Sequence, residues 1–88
     1  MKSRTTRKFW KLFQEQPPAV QERARRTYRR WLADPSHPSL HFKRVDNADP
    51  IYSIRIGIQH RALGGLEGET VTWFWIGPHD EYERLLRA

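Results

Sequence analysis

The chain has 88 residues, 16 Lys plus Arg against 10 Asp plus Glu for a formal charge of +6, a sequence pI near 10.3, and no cysteine. That length suits one small domain, residues 1–88, that buries only about 60 to 65 % of its unfolded surface, so the Trp, Phe and Tyr residues supply much of the apolar area. Without cysteine a disulfide framework and a Cys-based zinc site are excluded, which fits a reducing cytoplasm, and an Arg-dominated surplus of charge suits RNA, DNA or an acidic protein partner, with plain solubility as the bland alternative.

The opening MKSRTTRKFWKLF is basic and has no apolar stretch of signal-peptide length. No segment approaches the roughly 20 apolar residues that span a bilayer, so the expectation is a soluble cytoplasmic protein with no membrane partner. From about Thr5 to Gln16, Phe9, Trp10, Leu12 and Phe13 fall on one arc of a helical wheel and Arg7, Lys8 and Lys11 on the other, which predicts a short amphipathic helix. Pro17 and Pro18 break it, and Pro18 is placed for the first turn of a second helix that runs to Ala33, where Asp34 and Pro35 end it. On that helix Val20, Ala24, Tyr28, Trp31 and Leu32 form a packing face, and Arg23, Arg25, Arg26, Arg29 and Arg30 fill most of the rest. Joined by two prolines, the helices form an antiparallel hairpin lying on a sheet.

LHFKRV (40–45) alternates with period two as a half-buried strand does, with Leu40, Phe42 and the stem of Lys43 toward the core. In IYSIRIGI (51–58), Tyr52, Ile54, Ile56 and Ile58 take one face, and Ser53, Arg55 and Gly57 the other. A third strand spans about Gln59 to Leu66, and a fourth, ETVTWFWIG (69–77), is apolar on both faces and therefore central. Asp80 to Arg87 places Tyr82, Leu85 and Leu86 at helical spacing, with acids early and arginines late as the helix dipole prefers. The reading is α+β: an N-terminal helical hairpin on a curved antiparallel sheet of three to four strands, then a short C-terminal helix.

The order of these elements, together with YSIRIG, HRALGGLEGETVTWFWIG, GPHDEY and the loop DPSHPSL (34–40), resembles the RelE/ParE superfamily of bacterial toxin–antitoxin systems over nearly the whole chain. Members usually open with an edge strand before the first helix, and MKSRTT is short and polar for a full one. Ser53 stands where some ribonuclease members carry a catalytic lysine, and Pro78 and His79 where the RelE pattern often has two basic residues. For the RelE branch the resemblance implies an endoribonuclease that cuts messenger RNA in the ribosomal decoding site without metal or cofactor. A ribose 2′-hydroxyl attacks the adjacent phosphate. Its partners would be a cognate antitoxin, the ribosome and messenger RNA.

That reaction needs cations on the phosphorane oxygens, an acceptor for the 2′-hydroxyl proton and a donor for the departing 5′-oxygen. Arg61 and Arg55 are the candidates for charge stabilisation, Arg61 first because it matches a basic residue on the family's following strand. The alternative is pairing with Glu67 or Glu69. The alternation does not fix the register across the turn near Gly57, so the sequence leaves open whether the two arginines share a face. His79 follows the central strand and is suited to acid or base work. Tyr82 is placed to stack on a base or donate a proton, and its spacing with Leu85 and Leu86 favours a partly buried structural role.

Arg23, Arg26 and Arg30 on the basic arc, with Lys43, are the candidate RNA-binding residues, and the same arc suits an acidic antitoxin segment or a merely solvated face. His37, His41 and His60 lack the spacing and partners of a metal set, and Asp80, Glu81 and Glu83 are first-turn helix acids. Two rivals stand beside the ribonuclease: a ParE-like poison of DNA gyrase, in which the arginines serve protein binding, and a catalytically inactive member of the fold.

Overall fold

The computed structural model describes residues 1–87. It contains β1 (Lys2–Thr5), α1 (Arg7–Gln14), α2 (Pro18–Ala33), a 3₁₀ turn at Pro38–Leu40, β2 (Lys43–Arg44), β3 (Ile51–Ile56), β4 (His60–Glu67), β5 (Thr70–Pro78) and α3 (His79–Arg87). The strands form one sheet in the order β1-β5-β4-β3-β2, and every pairing is antiparallel except that of β1 with β5. The sheet is thus mixed and five-stranded.

The difference from expectation lies at its two edges. β1 forms although its residues are polar, because an edge strand needs only backbone partners on one side: Lys2 N–H donates to Glu69 and Thr6 N–H to the Trp73 carbonyl, at 2.8 and 3.1 Å. At the other edge LHFKRV is not one strand. Pro38–Leu40 coils into the 3₁₀ turn, His41 takes a left-handed φ of 45°, and only Lys43 and Arg44 pair with β3. Leu40 packs in the core, and Lys43, an odd number of residues further on, lies exposed on the opposite side, so its stem is not toward the core as expected.

Thr6 caps α1, its hydroxyl accepting from Phe9 N–H at 3.1 Å, and Pro18 begins α2 where its missing N–H costs nothing. Both helices cover one face of the sheet, α1 on β5 and α2 on β3. The core there holds Phe13, Ala24, Trp31, Leu40, Ile54, Ile56, Ala62, Val71, Trp73 and Ile76. Trp31 and Trp73 meet edge to face at 5.3 Å, and the buried N–H of each lacks a protein partner. Tyr28, Leu32 and Trp10, expected to pack, are exposed, and Ile58 is 70 % exposed because it sits in the β3–β4 turn.

β5 serves both faces through an irregularity. Leu63 pairs with Trp75 but Gly64 with Trp73, leaving Phe74 as an extra residue. Such a bulge shifts the alternation, so Val71, Trp73 and Ile76 enter the helix-covered core and Trp75 joins Leu63 and Tyr82 on the other face. Gly64 makes room for it, since a Cβ there would lie 2.5 Å from Val71 Cγ1 and 2.8 Å from Trp73 Cε3. α3 closes the second face only in part, and the remainder is open.

Candidate functional site

The β3–β4 turn settles the register that the sequence left open. Ile56 pairs with His60 across three turn residues, with Gly57 at φ +63°, so Arg55 stands directly opposite Arg61 on the face away from α1 and α2. One step along, Lys43, Ser53, Leu63 and Trp75 form a row across four strands. β5 then passes straight into α3, which sets His79 and Tyr82 over that face.

The turn is bound to both sides of the site. Arg61 Nη1 donates to the carbonyls of Gly57, Ile58 and His60 at 3.3, 3.1 and 2.7 Å, and the His79 N–H donates to the Gln59 carbonyl at 2.7 Å. Every carbonyl from 57 to 60 is thereby satisfied, and Arg61 and the first residue of α3 are fixed against the same four residues. Burial, then the neighbouring charge of Arg55, lowers the pKa of Arg61, while Tyr82 and Glu83 act the other way. It remains a cation with donors to spare.

The resulting cleft, about 370 Å³, is lined by Arg61, His79, Tyr82, Ser53, Lys43 and Arg44, with His41, Val45, Glu83 and Leu86 completing the wall. His79 Nε2 lies 3.2 Å from Glu83 Oε1 one helical turn on, and its ring centroid is 5.6 Å from that of Tyr82. Tyr82 is 6 % exposed and donates its hydroxyl to Ser53 Oγ at 3.2 Å, with Ser53 2 % exposed. The Tyr82 hydroxyl is thus engaged within the wall of the cleft. Neither Arg55 nor Arg61 pairs with a carboxylate among the described residues, and Glu67, opposite Thr70, is at the far end of its hairpin.

Arg55 departs from the other candidates. Its Nε donates to the Gly57 carbonyl at 3.2 Å and its Nη1 reaches His41 Nε2 at 3.3 Å, so the guanidinium turns to the sheet edge. There it joins Arg23, Arg26 and Arg30 of α2 in a second cleft of about 460 Å³. Lys43, grouped with those arginines by charge, faces the Arg61 cleft instead. His41 and Glu83 were not singled out for this site by the sequence. The four-residue spacing of Glu83 from His79 was a usable signal, whereas His41 lies just after the 3₁₀ turn, where no motif marked it. No group of three or more His, Cys, Asp or Glu is placed to hold a metal among the described residues, and no helix of these is long and apolar enough to cross a membrane.

Comparison with known proteins bears on the family and the fold. Residues 18–84 match the model of the ParE-like toxin domain. The chain belongs to that family and is a toxin of the RelE/ParE superfamily. No curated protein matches it in sequence. Among solved structures it is similar in fold to a chain of the RelB–RelE antitoxin–toxin complex of Methanococcus jannaschii, with TM-score 0.75, 16 % identity, and coverage of 93 % of this chain and 96 % of that one. It also resembles the YoeB/ParE toxin of Agrobacterium tumefaciens, with TM-score 0.69, 17 % identity and coverage of 90 % and 99 %. The isolated RelE toxin of E. coli gives TM-score 0.67 at 14 % identity, covering 98 % and 96 %.

Proposed function

We propose that the chain is the toxin of a toxin–antitoxin pair and a metal-independent endoribonuclease that cuts messenger RNA on the ribosome. The observation that carries this reading is the meeting of Arg61, Lys43 and His79 in one cleft in which Glu83 is the one carboxylate-bearing residue of the lining. A phosphodiester entering it meets Arg61, a fixed cation of the kind that stabilises a phosphorane, with Lys43 beside it.

In the reaction the ribose 2′-oxygen bonds to phosphorus and the bond to the 5′-oxygen breaks, leaving a 2′,3′-cyclic phosphate and a 5′-hydroxyl. Arg61 neutralises the charge gathering on the equatorial oxygens, held in place by its three turn carbonyls. Lys43, the cross-strand neighbour of Ser53, supplies a second cation beside a position where some relatives have lysine on β3 itself. His79, oriented by Glu83, takes the proton of the 2′-hydroxyl, and the imidazolium so formed, or solvent water, gives a proton to the departing 5′-oxygen. Tyr82 keeps Ser53 and the His79 ring in position. A cognate antitoxin silences the toxin by covering this face with acidic residues.

One observation favours a second reading. The matching family model is the ParE-like one, and an apolar groove of about 380 Å³ between α1 and α2, bordered by Trp10, Tyr28, Arg4 and Arg29, is open to a protein such as gyrase. Expression in a growing bacterium separates the two. For the ribonuclease, His79→Ala relieves growth arrest and purified gyrase supercoils DNA normally in the presence of the wild type; arrest that survives His79→Ala, with supercoiling blocked, contradicts it. An expressed, folded wild type without effect on growth points to an inactive member of the fold.

A further inference from the structure

The cleft between α2 and the β3–β4 turn is separate from the Arg61 cleft and shares none of its lining residues. Arg23, Arg26, Arg30 and Arg55 line it, with Thr27 and Ser39 beside them, and no acid lines it. Glu22 pairs with Arg26 at 2.8 Å on the exposed rim.

The groups are held by the fold rather than gathered by chance. Arg23 lies against Gly57, where a Cβ would come within 2.8 Å of its Cδ and 2.9 Å of its Nη1, so the left-handed glycine admits the side chain. Arg30 Nη1 donates to Ser39 Oγ at 3.2 Å, and Ser39 Oγ lies 2.8 Å from His37 Nδ1. Arg55 is bound to the Gly57 carbonyl. The Arg23 guanidinium has no hydrogen-bond partner among the described residues, and Arg30 and Arg55 keep donors free. Three cations without a carboxylate partner, lining one cleft with open donors, repel one another, and an anion with several acceptor oxygens relieves that cost.

We infer that this cleft is a second phosphate site, which grips a backbone phosphodiester of the same single RNA strand whose reacting phosphate lies at Arg61. Planar guanidinium forks match phosphate oxygens. Continuity favours a strand over an acidic peptide: Arg55 of one cleft touches His41 of the other at 3.3 Å, so the two form one basic track around the sheet edge. Arg55 therefore belongs to strand positioning, not to the reacting phosphate. The inference rests on the ribonuclease reading for its ligand, but its test needs no cleavage.

A 2′-O-methyl oligoribonucleotide, which cannot be cut, is titrated with the full chain by fluorescence anisotropy over roughly 50 to 200 mM salt. For single strands, log K falls with log salt by about 0.7 per phosphate neutralised. Arg23→Gln/Arg30→Gln weakens binding several-fold at low salt and makes the slope shallower by about 0.7 to 1.4. Arg4→Gln/Arg29→Gln removes the same charge from the opposite groove and leaves the slope close to wild type. Thermal melts confirm that both variants are folded. Equal effects of the two pairs, or none from either, overturn the site in favour of a diffuse basic surface. Loss of binding to an acidic peptide with RNA unaffected also overturns it. If Arg61→Ala weakens RNA binding and the Arg23/Arg30 pair does not, the second site fails while the ribonuclease reading stands. If the slope changes as expected and no messenger is cut on ribosomes, the site stands and the ribonuclease reading fails.

Discussion

Tyr82→Phe separates support from chemistry at the candidate site. The hydroxyl it deletes donates to Ser53 Oγ at 3.2 Å, and both residues are buried. Removing one partner of a buried hydrogen bond strands the other, which costs about 1 to 3 kcal/mol. At this donor distance the lower end of that range applies, about 1 to 1.5 kcal/mol, or a fall in Tm of about 4 to 12 °C for a domain of this size. Ser53→Ala strands the buried tyrosine hydroxyl in the same way and costs a similar amount, about 1 to 1.5 kcal/mol. The double variant then loses less than the sum of the two, with a coupling of about 0.5 to 1.5 kcal/mol in a urea-unfolding cycle. Messenger cleavage by Tyr82→Phe, measured well below its Tm, stays within about threefold of wild type, because general acid–base catalysis is worth about 10² to 10⁴ and this residue supplies none of it. Strictly additive stabilities would refute the assignment of the hydrogen bond. A hundredfold loss of cleavage in a folded Tyr82→Phe would restore the tyrosine as a proton donor.

Adjacent glycines on β4 respond differently to alanine. Gly64→Ala drives a methyl group to 2.5 Å from Val71 Cγ1 and costs about 1 to 3 kcal/mol, whereas a Cβ at Gly65 meets nothing within 4 Å and Gly65→Ala changes Tm little. Equal Tm values for the two variants would contradict the packing around the bulge. Acid sensitivity centres on His60, whose pKa is lowered from 6.5 by burial first and then by the charges of Arg23 and Arg61. The unfolded chain then binds more protons there than the folded one, so stability falls as pH drops below 6.5, and His60→Gln flattens that part of the profile. Asp34 and Asp46, also lowered, act only in the more acidic window below 3.8. Urea midpoints of wild type and His60→Gln that fall in parallel between about pH 6.5 and 5 would remove His60 as the cause.

The sequence was most legible where a covalent constraint and a periodic pattern agreed. Pro18 and the Asp34–Pro35 break bound α2 at Pro18–Ala33 as read, and the alternation of β3 separated Ile54 and Ile56 from Ser53 and Arg55. It was least legible where backbone geometry overrides side-chain pattern. β1 is held by hydrogen bonds to β5 that its polar residues do not advertise, and His41 breaks an alternating run through one left-handed residue. The bulge at Phe74 is equally silent, since WFW reads as apolar on both faces with or without it. The same limit applied to the site. Arg61, His79 and Tyr82 meet as their positions suggested, but the direction of the Arg55 guanidinium depends on a three-residue turn and on His41, neither visible as a motif.

Messenger cleavage in a purified bacterial translation system, mapped by primer extension, tests the central proposal most directly. Wild type cuts at codon-spaced positions on ribosome-bound messenger, His79→Ala slows cutting by about 10² to 10⁴ through loss of proton transfer, and Arg61→Ala by about 10² to 10³ through loss of charge stabilisation. Intact messenger with wild-type toxin, or cutting that persists unchanged in folded His79→Ala and Arg61→Ala, would contradict it.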